Sequence, residues 1–280
     1  MSKLTVEKFV SKILSQLESG KMQLPTLPEV ALRVRDAVDN PDASITKIAE
    51  VISEDAALSA RLLKVANSAL YGARDPIDRL PHAIARMGNN VVRDVVVSQA
   101  MKQMFQATNE QIDTHLRDVW AHSVEVAAVA RAFAPQCPGI APDQAMLAGL
   151  LHDIGALPIL YFVEQNDTIL ETEGLLDRLV TEVHTRIGGE LLRAWGFPPT
   201  LVAVAAEHEN LQRRHEGGPD LVDLVQVANL QNRAGTDHAL GMVDWSDVPA
   251  FSQLGFDTDV QEIELVDVAD GIDEMKSLLT

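Results

Sequence analysis

Apolar residues recur along this chain at helical steps, and strict alternation over strand lengths is hard to find. Phe9, Ile13 and Leu17 mark one face of a first helix. Pro28 stands where a second would begin, with Val30, Val34 and Val38 following at i+4 before an Asn40-Pro41 stop. Ser44 is placed to cap a third, whose inward stripe reads Ile45, Ile48, Ala49 and Ile52. Asp55 opens a fourth, which carries Leu58, Leu62, Val65 and Ala66 until Gly72. The turn-rich stretch ARDPIDRLP then leads to a short helix ending at Gly88. The valines of VVRDVVVSQAMKQMF would suit a strand, but Met101, Met104 and Phe105 continue on helical steps, so the segment reads as helix. The pattern predicts an all-α protein.

A polar break, QATNEQID at 106–113, separates this block from a second. There, segments of helical length are bounded by Gly, Pro or Asn: HLRDVWAHSVEVAAVARAFA, QAMLAGLLHDIGALPILYF, LLDRLVTEVHTRIGGELLRAWG, PPTLVAVAAEHEN and LVDLVQVANLQNRAG. No repeat of 20 to 50 residues appears. The expected organisation is two packed helical subdomains, 1–108 and 109–243, followed by an acidic helical tail at 244–280. In that tail Ile263, Val266, Ile272, Met275 and Leu279 provide apolar spacing.

Charge narrows the function. Over 280 residues, 23 Lys and Arg oppose 41 Asp and Glu, a formal net charge of −18. Such a balance repels polyanions at long range and argues against direct binding to nucleic acid or to an anionic membrane surface. Half of the excess lies in the tail, and the remainder is still acidic. With 12 aromatic residues, a row of base-stacking platforms is not expected. The single cysteine, Cys137, excludes an intrachain disulfide and suits a reducing compartment. The opening residues lack the apolar stretch of a signal peptide, and the apolar run AMLAGLL at 145–151 is too short to span a bilayer. The expectation is a cytoplasmic protein.

The most suggestive chemistry lies in the second block. His122, the adjacent pair His152-Asp153, His184 and His208 fall in successive helical segments, each about one helix and one connection apart. That spacing lets neighbouring helices of a bundle each point one side chain into a shared core site. Imidazole and carboxylate together suit divalent Fe, Mn or Zn, and an ion held there lowers the pKa of bound water for phosphoester hydrolysis. A hydrogen-bond network between helices would satisfy the same buried polar groups. His82, His115, His215 and His238 read as structural or surface residues, Arg213-Arg214 as part of a solvated loop, and Asn67 as a bond to a neighbouring loop's backbone. Gly149, Gly155, Gly188 and Gly189 belong to no phosphate-loop pattern and read as helix ends and close-packing points.

The segments LPTLPEV and ANSALYG and the AIARMG turn closely resemble the first half of the HDOD domain. His122, LLHDIG, VHTRIGGELLRAWGFP and AAEHE resemble the HD-type helical core that this domain shares with HD and HD-GYP phosphohydrolases. The resemblance covers roughly residues 17–235. It implies an all-helical protein, found mostly in bacteria and linked to signal transduction and regulation of gene expression, in a branch where catalysis is generally absent or unproven. With the chain's acidic charge, such regulation is expected to act through a signalling protein partner. The resemblance places the superfamily's metal ligands on His122, His152 and Asp153, and the further histidines of HD-GYP enzymes on His184 and His208. Three positions depart from those enzymes: Asn229 stands where their last acidic ligand falls, Ala156 where they have Lys, and Glu207-His208 where they have paired histidines. No catalytic residue is assigned. The expectation is a non-catalytic regulator with a weakened metal centre, and the alternative is a divalent-metal phosphohydrolase acting on a nucleotide or cyclic dinucleotide.

Overall fold

The computed structural model describes residues 3–22, 24–72, 75–164, 167–170, 172, 174–258 and 269–279. Among these the regular structure is helical: α1 (Lys3–Glu18), α2 (Glu29–Asp39), α3 (Ile45–Ser53), α4 (Ala56–Ala66), α5 (Leu80–Met87), α6 (Asn89–Lys102), α7 (Glu110–Phe133), α8 (Pro142–Leu151), α9 (Ala156–Glu164), α10 (Asp167–Leu170), α11 (Leu175–Ala194), α12 (Pro199–Glu207), α13 (Leu221–Arg233), α14 (Pro249–Leu254) and α15 (Ala269–Leu279). The all-α expectation is met.

The caps form where the side chains allow them. Ser44 accepts from the Lys47 amide at 3.2 Å, and Asp55 from the Leu58 amide at 2.9 Å, each satisfying a donor that the first helical turn leaves open. The stripe Leu58, Leu62, Val65 and Ala66 is buried, as are Ile48, Ala49 and Ile52. Ile45 is instead 39% exposed, because it opens α3 before that helix meets its neighbours. In α2 Val34 of the expected valine line is buried together with Ala31, whereas Val30 and Val38 are only partly covered. Asn67 donates to the Ile77 carbonyl and accepts from the Ile77 amide, both at 2.7 Å, and so ties the loop before α5 to the end of α4.

The helices group into two compact units, residues 27–104 with 264–280, and residues 1–26 with 105–263. In the first, α2 to α6 enclose Ile52, Leu62, Ile84, Val92 and Met101. The final helix α15 joins it: Met275, Leu278 and Leu279 are buried, the Ala69 amide donates to Glu274 at 2.7 Å, and Arg61 donates to the Leu278 carbonyl. The segment 244–280 thus serves both units, since α14 packs on α13 in the other. Ile263 and Val266 lie outside the described residues.

In the second unit α1 packs on α11, and the Trp195 indole N–H at the end of α11 donates to the Pro25 carbonyl at 2.8 Å. The long helix α7 is the spine against which α8, α9 and α13 pack. The approach of α8 to α7 is close because Gly149 faces Ala127: a Cβ on Gly149 would lie 2.5 Å from the Ala127 Cα and 2.7 Å from its nitrogen. The stretch Pro142–Glu164, which contains α8 and α9, is long and apolar enough to cross a membrane by length and composition, and 83% of its most apolar 18 residues are buried inside the protein. It is broken at 152–155, where the two polar residues of LLHDIG sit.

Because the obstruction at Gly149 is backbone, it cannot rotate away. Gly149→Ala is expected to lower stability by about 1–3 kcal/mol, the usual cost of overpacking. Gly218, with nothing within 4 Å of its Cβ position, provides a control whose alanine variant should be near neutral. Urea unfolding of both checks this, read as a shift in midpoint at constant slope.

Candidate metal centre

Four helices bring the site together. His122 lies in the middle of α7, His152 at the C-terminal end of α8, His184 within α11 and His208 at the end of α12. Asp153 follows His152 in the turn that separates α8 from α9. The glycine of that turn decides the geometry. A Cβ on Gly155 would fall 1.9 Å from the His184 carbonyl oxygen and 2.5 Å from the Gly188 nitrogen, so only glycine lets the turn lie directly on α11. Gly188 completes the approach, its own Cβ position being 3.2 Å from the Gly155 nitrogen.

All five residues singled out from the sequence converge. Asp153 Oδ1 lies 3.3 Å from His184 Nε2 and 3.2 Å from His208 Nε2. Its Oδ2 lies 3.3 Å from His152 Nε2 and 3.8 Å from His122 Nε2. The groups form two triads that share Asp153, and within each triad the candidate ligand atoms lie within 4.8 Å of one another. His152 and His208 are buried and His184 is 4% exposed, whereas the Asp153 side chain is 21% exposed. The carboxylate therefore has access to solvent, and three of the imidazoles are its wall.

The hydrogen bonds settle the tautomers. Nδ1 of His152 faces the Gly149 carbonyl at 2.7 Å, that of His184 the Val180 carbonyl at 2.8 Å, and that of His208 the Val204 carbonyl at 3.1 Å. A carbonyl only accepts, so each Nδ1 carries a proton and, in the neutral ring, each Nε2 is a bare lone pair. His122 follows the same rule through a side chain: its Nδ1 is 2.9 Å from Asn232 Oδ1, and Asn232 Nδ2 donates to Glu125 at 2.9 Å, which fixes the amide's orientation. Four lone pairs thus surround one carboxylate, and His184 Nε2 and His208 Nε2 stand 3.3 Å apart. Acceptors packed against acceptors require a cation.

The electrostatics agree. Burial, with the charge of His152 next, lowers His122 to about 3, and burial likewise lowers His208. Asp153 is held well below the usual carboxylate range: burial opposes its charge, but its His152, His184 and His208 partners outweigh burial. At His184 burial is again opposed, here by the Asp153 carboxylate and Glu209, and the ring rises to about 9. The pocket takes its positive charge from a proton on His184 or from a metal.

Two buried atoms favour the metal. Asn229 Oδ1 is buried without a hydrogen-bond partner, and His152 Nε2 faces only the Asp153 oxygen, so in the neutral ring both are acceptors without a donor. Asn229 is 5% exposed and lines the same cleft as His122, Asp153 and His184. The donor set, imidazole nitrogen with carboxylate and amide oxygen, fits a divalent transition ion. Of the departures noted in the sequence, Asn229 bears on this set. Ala156 only lines the cleft, and Glu207 turns away to pair with Arg213 at 2.7 Å.

The cleft has a volume of about 430 Å³. Asp118, Asp177 and Glu209 give it an acidic rim, with Arg233 on the opposite side of the balance. Sequence reasoning missed the Asn232–Glu125 support behind His122, although each follows a site position by three residues on its helix, Asn229 on α13 and His122 on α7.

A third cluster, His215 with Asp220 and Asp223, has metal-like composition but a resident cation. Arg213, with a side chain only 12% exposed, reaches Asp220 at 2.6 Å, Asp223 at 3.3 Å and Glu207 at 2.7 Å. It is a buried tie, not the solvated loop residue expected from sequence. Asp220 and Asp223 also close a capping box on α13, and Gln226 donates to the Glu207 and Asn210 carbonyls. This network holds the turn that follows His208.

Comparison with known proteins agrees with this architecture. Residues 24–211 match the HDOD domain, and the chain belongs to that family. It is similar to a protein of Shewanella amazonensis SB2B that bears the provisional name of metal-dependent phosphohydrolase, at 30% identity and a TM-score of 0.86, over 98% of this chain and 99% of that one. A Marinobacter aquaeolei VT8 protein, provisionally named for signal transduction, shares the fold at 22% identity and a TM-score of 0.65, over 93% of this chain and 60% of that one. An uncharacterised protein of Treponema pallidum (strain Nichols) is 25% identical over 244 residues, 82% of this chain. The chain spans less than half the length of the curated relatives it matches, 46% in that case.

The Arg213 network carries a pH signature. His215 Nε2 lies 2.9 Å from Asp223, whose carboxylate raises the His215 pKa above its ordinary 6.5. A raised folded-state pKa stabilises the fold below the unfolded value, and that contribution is lost as pH rises through the folded value. In Asp223→Asn the His215 midpoint should fall back towards 6.5, and the extra stability near pH 6 should disappear. Proton NMR titration and urea unfolding at pH 6 and pH 9 measure the two effects.

Proposed function

We propose that this HDOD protein holds a divalent metal at His122, His152, Asp153, His184 and His208, with Asn229 as a neutral oxygen donor, and that the centre hydrolyses a phosphoester. The observation that carries this is the convergence of four Nε2 lone pairs on one carboxylate at the base of an open cleft. The similarity along its whole length to a protein named for metal-dependent phosphohydrolysis supports it. When bound, the ion supplies Lewis acidity and a water of lowered pKa.

The chain's own residues do the rest. The backbone carbonyls of Gly149, Val180 and Val204 and the Asn232 amide fix the ring orientations, as second-shell partners do in metal sites. Glu209, with Oε1 3.8 Å from His184 Nε2 and a side chain 36% exposed, is placed to hold or release a proton at the mouth of the cleft. Arg233 is the guanidinium that lines the cleft and favours an anionic substrate there. The acidic rim limits the charge such a substrate can carry, which favours a monoester or diester over a polyphosphate.

A second reading is favoured by that same rim and by Asn229. A neutral amide in place of an acidic ligand, with Ala156 in place of a lysine, weakens both metal retention and phosphate capture. On this reading the protein is a cytoplasmic regulatory module that acts through a signalling partner, and the metal organises helix packing. Elemental analysis and turnover of a phosphomonoester and phosphodiester panel separate the two. Stoichiometric Fe, Mn or Zn with turnover, both lost in Asp153→Ala, is the expected result for the first. Metal without turnover leaves the regulatory reading, and absence of metal overturns the proposed centre.

The role of Asn229 has its own test. Asn229→Asp adds a negative oxygen to the donor set and is expected to tighten metal binding by about tenfold or more, within the range that such changes around a metal produce. Competition with a chromophoric chelator measures this without reference to activity.

A further inference from the structure

The helix that carries Asn229 ends at Arg233, and the chain after it returns to the cleft, whose wall includes Arg233, His238 and Leu240. Short contacts close this loop. The Thr236 hydroxyl donates to the Arg233 carbonyl at 2.7 Å and accepts from the His238 amide at 3.3 Å. The Gly241 amide donates to the His238 carbonyl at 2.8 Å, and a Cβ on Gly241 would stand 2.6 Å from both the Arg233 and the Thr236 carbonyl oxygens. Residue 241 therefore has no room for a side chain, and His238 is held at one place on the cleft wall. It is open to solvent there, so a ligand can reach it.

Its ring has the opposite tautomer to those at the candidate centre. The Leu240 amide donates to His238 Nδ1 at 3.2 Å and caps the short 3-10 turn Ala239–Met242. A backbone N–H only donates, so Nδ1 is the bare lone pair and, in the neutral ring, Nε2 carries the proton. Partial burial, and after it the charge of Arg233, lowers the His238 pKa against the opposing pull of Glu209 and Asp153, which favours that neutral ring. Where His122, His152, His184 and His208 turn lone pairs to a carboxylate, His238 thus brings an N–H to the same cleft as the Arg233 guanidinium. A non-bridging phosphoryl oxygen is an acceptor that both can serve. We propose that His238 is a substrate-binding residue whose Nε2–H donates to a phosphoryl oxygen held in the cleft, an inference that rests on the phosphoester reading of the site.

The test separates this role from that of a cap. Long-range ¹H–¹⁵N spectra of the imidazoles in the full-length protein are expected to show His238 as Nε2–H, and titration with inorganic phosphate, with and without one equivalent of Zn²⁺, should shift that nitrogen saturably. His238→Asn keeps an acceptor near the Nδ1 position for the Leu240 amide and removes the donor. It is expected to weaken phosphate binding by about tenfold, the value of one hydrogen bond to a charged group, with an unchanged urea midpoint. His238→Gln places an amide donor near the Nε2 position and loses the cap, so it should retain most of the phosphate affinity and unfold at lower urea. Affinity that follows the cap, unchanged affinity in His238→Asn, an Nδ1–H tautomer, or a His238 ring silent to phosphate in both metal states overturns the proposal. Shifts at His238 without turnover of any ester leave the donor assignment standing and overturn hydrolysis alone; turnover with a silent His238 does the reverse.

Discussion

The structure of the larger unit depends on one half-buried anion. Asp153 is placed in the turn between two apolar helices, and four imidazole nitrogens face its two oxygens at 3.2 to 3.8 Å. A carboxylate there costs several kcal/mol of desolvation unless it is paired, and removing a partner from such a pair leaves an uncompensated charge. Everything around it reads as compensation. The Nδ1 protons of the histidines are spent on carbonyls, so the Nε2 atoms cannot themselves donate to the carboxylate in the neutral state. Charge must come from a proton or a metal, and the helices that carry the ligands are held in register by that requirement.

Glycine makes the arrangement sterically attainable. The turn carrying Asp153 rests on α11 with no room for a Cβ at Gly155, and α8 rests on α7 with none at Gly149. These two contacts position the first ligand pair against the others before any hydrogen bond is considered. The Arg213 network then closes the far side, where three carboxylates around one guanidinium fix the end of α12 and with it His208. Packing sets the distances to within an ångström or so, and the polar contacts set the ring orientations.

Helix content and most helix boundaries were legible because they are local. The stripes in α3 and α4 and the caps at Ser44 and Asp55 follow from period and side-chain chemistry over a few residues. The five candidate positions meet because a bundle turns regular spacing in sequence into convergence in space. What escaped is non-local. Nothing near Arg213 in sequence tells that three carboxylates will enclose it, since two of them arrive on α13 after a loop. Nor does the acidic character of the tail reveal that α15 packs back against α4 through Arg61, some two hundred residues earlier. Ile45 shows the complementary failure: helical period places a residue on the inward face, but only the neighbours decide whether that end of the helix is covered.

The −18 charge of the chain reaches the candidate site through its acidic rim. At the candidate metal centre, acceptors outnumber donors, and the surrounding Asp118, Asp177 and Glu209 deepen the negative potential. Such a field favours a cation over a polyanion in the cleft.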